Sequence, residues 1–163
     1  MAYGRHRAGR MPASQRRKLV WADSQATNQA MPLGGSNAID LLSNYRTAGG
    51  GTQGVTIIRT HLSLVIASPA GALAGDGMVL GTMVSQAIGG AVSTADAYAD
   101  WAYFTTLYNV SSGNVRDTET SFMIDIKSKR KCQEVGESYF LAYSATRAAS
   151  AFSYHARTLL ALP

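Results

Sequence analysis

The strongest constraint on the fold is the period-two alternation that begins at Val55. From Val55 to Ala67 (VTIIRTHLSLVIA), Ile58, Leu62, Leu64 and Ile66 fall on one side, with Ile57, Arg59, His61 and Ser63 on the other. Residues two apart share a face only in an extended chain, so this stretch predicts a long, half-buried strand. The pattern returns in Thr120–Lys127 (Phe122, Ile124 and Ile126 inward) and in Ser138–Thr146 (Tyr139, Leu141 and Tyr143). It returns again in Ala151–Leu162, with Phe152, Tyr154, Thr158, Leu160 and Leu162 on one face. Lys18–Asp23 and Met78–Ile88 also have strand composition, and Gly81 permits a bulge or a close neighbour. Ala95–Tyr108 fits a helical face (Trp101, Phe104, Tyr108) or a strand; its aromatic and threonine content after Asp100 favours the strand.

Only Ser36–Arg46 reads as helix, with Ser36 or Asn37 as cap and Ile39, Leu42 and Tyr45 on one face. Residues 24–35 are polar, and Pro32 and Gly34-Gly35 mark a loop. Glycine, serine and asparagine punctuate the remaining gaps, and there is no internal repeat of solenoid period. The expected fold is mainly β: one antiparallel β-barrel or jelly-roll-like sandwich of about seven to eight strands, with one short helix. A chain of 163 residues suffices for one such core.

Charge divides the chain differently. Residues 1–18 hold Arg5, Arg7, Arg10, Arg16, Arg17 and Lys18 and no acid, whereas residues 19–163 hold nine cations against ten acids. The expected organisation is therefore a basic N-terminal arm over 1–18 and a single β domain over 19–163. Such arms neutralise phosphates or dock on neighbouring subunits. Trp21, with Arg16, Arg17 and Lys18, is placed to anchor the arm where it leaves the domain. A second basic run, Lys127, Lys129, Arg130 and Lys131, projects to one side if the preceding strand continues. It can contact phosphates or pair with Glu134 and Glu137.

No constellation for catalysis assembles. His6 lies in the arm, and His61 and His155 sit singly in strands without metal-ligand spacing. No GxSxG elbow surrounds a serine, and the glycine-rich stretches at 49–54 and 71–77 lack phosphate-loop or dinucleotide spacing. Cys132 is the lone cysteine, which excludes an internal disulfide, and Arg130 and Lys131 beside it are expected to lower its pKa. The expectation is a non-enzyme with no cofactor and no metal, any unseen site lying around His61 and His155. No apolar run is long enough for a membrane helix, and no secretion signal is evident, which predicts synthesis in the cytoplasm.

Taken together, Arg16–Trp21, Ile39–Leu42, Thr56–Leu62, Asp100–Phe104, Ile124–Lys131 and Ala156–Pro163 make a pattern that resembles small viral coat and virion structural proteins, those of bacteriophages most. The resemblance implies a self-assembling capsid subunit found in the virion, its arm docking on neighbouring copies or nucleic acid. It carries no catalytic residues. The alternatives are an accessory phage protein of the head, neck or tail, and a free nucleic-acid-binding module without sequence preference.

Overall fold

A computed structural model describes residues 17–34, 37–67, 77–86, 103–108, 120–147 and 149–163. Expectations placed on Arg5, Arg7, Arg10, Arg16 and Trp101 lie outside these residues. The elements are β1 (Leu19–Met31), β2 (Ala38–Asp40), α1 (Ser43–Thr47), β3 (Thr56–Ala67), β4 (Gly77–Ser85), β5 (Tyr103–Tyr108), β6 (Thr120–Lys127), β7 (Ser138–Ala145) and β8 (Ser150–Ala161).

The strands form two four-stranded sheets, ordered β1-β8-β3-β6 and β2-β7-β4-β5. Every pairing is antiparallel, and the partners nest: β1 with β8, β2 with β7, β3 with β6, β4 with β5. This is one long hairpin rolled up so that successive pairs alternate between sheets. The fold is a jelly roll, and the expected mainly-β class is the observed one.

Between the sheets lies a core of Leu62, Leu64, Ile66, Phe152 and Leu160 from the first sheet and Met78, Leu80, Tyr139 and Leu141 from the second. A hydroxyl chain crosses it. The Tyr139 phenol donates to Thr82 Oγ1 (2.9 Å), and Thr60 and Thr158 share a hydrogen bond of 3.2 Å. Burial pushes the Tyr139 phenol up, and hydrogen bonds with Thr82 and Thr60 pull it part of the way back. Buried hydroxyls are tolerated here because each has a partner.

Two bulges correct the sequence reading. β1 runs to Met31, through residues expected to be a loop, because Ser24 points inward to the Tyr154 hydroxyl (2.9 Å). The register with β8 then shifts between Ala26 and Gln29, where Asn28 takes a φ of 53°. Inward residues are even-numbered before the bulge (Ala22, Ser24), whereas Met31 is inward after it. In β3 the shift between Ile57 and Arg59 has the same effect. Ile57, expected outside, is buried, and Thr60 replaces Ile58 at the head of the inward series. No bulge forms at Gly81, where the ladders to β5 and β7 run without a shift.

The expected helix is also shorter. Ala38–Asp40 pairs with β7, and Leu41 N–H extends that ladder to the Tyr139 carbonyl (2.9 Å). The Asp40 carboxylate then accepts from Leu42 N–H (2.9 Å), from the Ser138 hydroxyl and from Arg46. Only after this turn does α1 begin. Gly49, at φ 88°, closes it, and a Cβ on Gly50 would stand 2.4 Å from the Tyr45 ring, so neither position accepts a side chain freely.

The two sheets differ in what they present outward. Both faces of β7 are buried, a small cluster of Val79, Ala142 and Phe104 forming on the side away from the main core. The β1-β8-β3-β6 sheet keeps an exposed outer face, on which Trp21, Asp23, His61, Met123, Asp125, His155 and Arg157 are all exposed.

Candidate functional site

The outer face of the β1-β8-β3-β6 sheet carries an ordered polar network. One cross-strand row runs Asp23–Arg157–His61–Asp125 through all four strands. Period two aligns Arg59 with His61 on β3 and His155 with Arg157 on β8, so each strand offers an arginine and a histidine two residues apart. Each pair holds one carboxylate. Asp125 accepts from Arg59 Nε (2.5 Å) and a second Arg59 nitrogen (2.6 Å), with His61 Nδ1 at 3.3 Å. Asp23 Oδ1 accepts from Arg157 Nε at 3.1 Å, with His155 Nε2 at 3.5 Å.

Trp21 ties the network together. Its ring stacks on His61 (centroids 5.6 Å apart, 26° between planes), and the Arg157 guanidinium lies 5.2 Å from its centroid. The indole thus lies across β8 toward β3, where cation–π attraction favours it. The Arg59 hydrogen bonds hold the Asp125 carboxyl below its usual range, and Asp125 in turn raises Arg59. Both groups are exposed, so solvent screens the pair and the gain is small.

An open cleft of about 480 Å³ adjoins His155, lined also by Gln25, Ala26, Thr27, Ser63 and Val65. Ser63 stands opposite His155 in the ladder, and the Ser153 hydroxyl accepts from Asn28 N–H (3.1 Å). Among the described residues no hydroxyl is hydrogen-bonded to either histidine, and no group of three or more His, Cys, Asp or Glu is placed to hold a metal. His61 and His155 do meet across the sheet, as diagonal neighbours, with carboxylates and arginines as partners. Among the described residues no helix is long and apolar enough to cross a membrane.

The two basic features converge on one end of this sheet. A row of backbone partners there runs Leu19–Ala161–Thr56–Lys131, and Leu162 N–H donates to the Lys18 carbonyl (2.9 Å). Arg17 and Lys18 therefore enter at the β1 edge, and Lys127–Lys131 leave at the β6 edge. The second run does not project as a strand. It turns at Ser128–Lys129, where Lys129 has φ 54°, and is pinned to β3 by Ile57 N–H to the Arg130 carbonyl (2.7 Å) and Cys132 N–H to the Val55 carbonyl (2.9 Å). Lys127, Lys129, Arg130 and Lys131 are all exposed. Glu137 does not pair with them: its carboxylate accepts from Gln133 and Glu134 N–H, while Glu134 accepts from Gln86.

Cys132 packs beneath this loop. Burial, with Glu137 and Asp40 adding to it, pushes the thiol up to about 11, opposite to the lowering expected from Arg130 and Lys131. Those cations point into solvent, and desolvation of the sulfur dominates. At pH 8 the folded chain is expected to react with iodoacetamide at least ~100-fold more slowly than the chain in denaturant, because only thiolate attacks. Equal rates would contradict the burial.

Sequence reading named Arg17, Lys18, Trp21 and the Lys127–Lys131 run as candidates but not Asp23, Asp125 or Arg157, which the structure shows in the polar network of the outer face. Their signal was present in the Arg-x-His and His-x-Arg spacing on two alternating strands. The partner carboxylates lie on other strands, and register is invisible in one sequence.

In structure the chain is similar to the Tobacco streak virus coat protein dimer, with a TM-score of 0.48 and 11% identity over 89% of this chain and 85% of that one. It is also similar to a chain of Desmodium yellow mottle tymovirus, with a TM-score of 0.45 and 12% identity over 93% of this chain and 91% of that one. No protein-family model matches the sequence, and no curated protein matches it.

Proposed function

We propose that this chain is a non-enzymatic structural subunit of a virus particle that associates with copies of itself, its basic arm docking on neighbouring subunits or nucleic acid. The observation that carries the reading is the nested jelly-roll strand order, an architecture used by viral capsid domains as well as lectins and cupins. Because a fold alone does not fix function, the charge layout supplies the second support. Only 15% of residues are charged, against roughly 25% in an average domain, which suits a body whose surface is buried between copies. Bacteriophage origin, and the choice between coat subunit and accessory head, neck or tail protein, rest on the sequence resemblance.

In this reading residues 1–18 act between subunits, and Trp21, held by His61 and Arg157, fixes the point where the arm leaves the sheet. A chain lacking residues 1–18 is expected to melt within ~3 °C of the full chain, since the core described above is built from Ala22 onward. It is also expected to lose the fast-sedimenting species in sedimentation velocity. Full-sized assemblies from the truncated chain would overturn arm docking.

A further inference from the structure

The outer face of the β1-β8-β3-β6 sheet carries side chains that the subunit itself does not use. Five large hydrophobic side chains stand exposed among the described residues, and three of them, Leu19, Trp21 and Met123, lie on this face. Met123 is 91% exposed. Scattered apolar side chains are ordinary on a surface, whereas several on one face mark a contact. Tryptophan, methionine and arginine are also the residues that contact surfaces enrich.

The polar groups of the face are held in place beforehand. Arg59 grips Asp125 through two nitrogens, Arg157 grips Asp23, and Trp21 stacks on His61. Exposed ion pairs contribute little to folding, so the subunit gains little from this order. A partner gains more, because side chains fixed in advance lose little freedom on contact.

Charge selects the partner. Two carboxylates, Asp23 and Asp125, stand against two guanidiniums, Arg59 and Arg157. A strongly acidic or basic partner meets as much repulsion as attraction there, whereas a second copy supplies both signs. A two-fold contact needs such a face, since residue i of one copy meets j of the other and j meets i. Shape obeys the same rule. The cross-strand row Gln25–His155–Ser63–Met123 ends at β6 in the projecting methionine, while its other three members border the cleft of about 480 Å³. Ala26, Val65 and Tyr154 give that cleft apolar walls. The four strands give the face a footprint of roughly 700 Å². A stable complex buries roughly 800 Å² on each partner.

We propose that two copies of this chain pack outer face against outer face about a two-fold axis, each Met123 entering the cleft of the other. Resting on the self-association proposed above, this pairing uses a surface other than residues 1–18.

The test joins sedimentation equilibrium of the full chain to maleimide labelling of two single-cysteine additions. Met123→Cys lies on the face, and Val135→Cys lies in the loop after Cys132, where Val135 is also exposed. Cys132 is buried, so only the introduced cysteine reacts in the folded chain. As concentration rises, labelling of Met123→Cys is expected to slow in proportion to the free fraction, while Val135→Cys keeps its rate. Met123→Asp, which carries a carboxylate into each apolar cleft, is expected to raise the dissociation constant about 30-fold or more. Val135→Asp is expected to leave it within about threefold. If Met123→Asp melts early, the labelling rates decide. A native chain that associates while Met123→Asp sediments like it and Met123→Cys keeps its rate would overturn this face and leave self-association to other surfaces. A species of 17.3 kDa at every concentration would overturn both, and would leave the face to an unlike partner.

Discussion

Phe152→Ala is expected to destabilise the chain by about 4 kcal/mol. Phe152 is only 1% exposed and sits on β8, which is hydrogen-bonded to β1 on one side and β3 on the other. Its ring meets Tyr143 of the opposite sheet edge-to-face (centroids 4.7 Å apart, 68° between planes) and lies 6.0 Å from Tyr154. Truncation therefore removes buried apolar area, an aromatic pair between the sheets, and atoms the flanking ladders cannot move to replace. Urea unfolding is expected to show a lower midpoint with an unchanged slope. Met123→Ala on the outer face, where the side chain is 91% exposed, is expected to stay within about 0.5 kcal/mol of native. A loss below about 1 kcal/mol for Phe152→Ala would mean that the two sheets do not pack as described.

The second large effect is expected at Asp40. Its carboxylate holds Leu42 N–H, the Ser138 hydroxyl and Arg46, and so joins β2, α1 and β7 at one point. Ser138 is fully buried, and Asp40→Ala leaves its hydroxyl without this acceptor. A lost hydrogen bond to a charged group, together with a stranded buried donor, is expected to cost about 3 kcal/mol. That corresponds to a fall in melting temperature of about 10 °C for a domain of this size. The Arg46 side chain is 42% exposed, so solvent screens its charge and Arg46→Ala is expected to cost under about 1 kcal/mol. Equal losses for the two variants would show that the surface ion pair, rather than the buried turn, carries the joint.

The contrast between β6 and β1 shows which parts of this fold a sequence can reveal. β6 has no register shift in its pairing with β3, so Phe122, Ile124 and Ile126 alternate as period two demands. β1 changes its inward parity at Asn28 and buries Ser24 against a tyrosine hydroxyl 130 residues away. A polar residue whose partner is distant looks like a loop residue, and a bulge erases the alternation that would correct the impression. The short β2 was hidden differently: Ile39, Leu42 and Tyr45 do pack on the core, but through a strand, a carboxylate turn and one helical turn in succession. Composition located the basic residues; only the ladder joining Leu19, Ala161, Thr56 and Lys131 brought the arm's exit and the Lys127–Lys131 loop to one end. The Asp23 and Asp125 pairings also depend on register, which is why they were not legible.

Self-association is the central claim, and the molar mass in solution tests it most directly. Light scattering on the full chain, nuclease-treated and untreated, at low and high salt, is expected to give particles many times the 17.3 kDa subunit that persist through both treatments. A species of 17.3 kDa under every condition would contradict a self-assembling subunit.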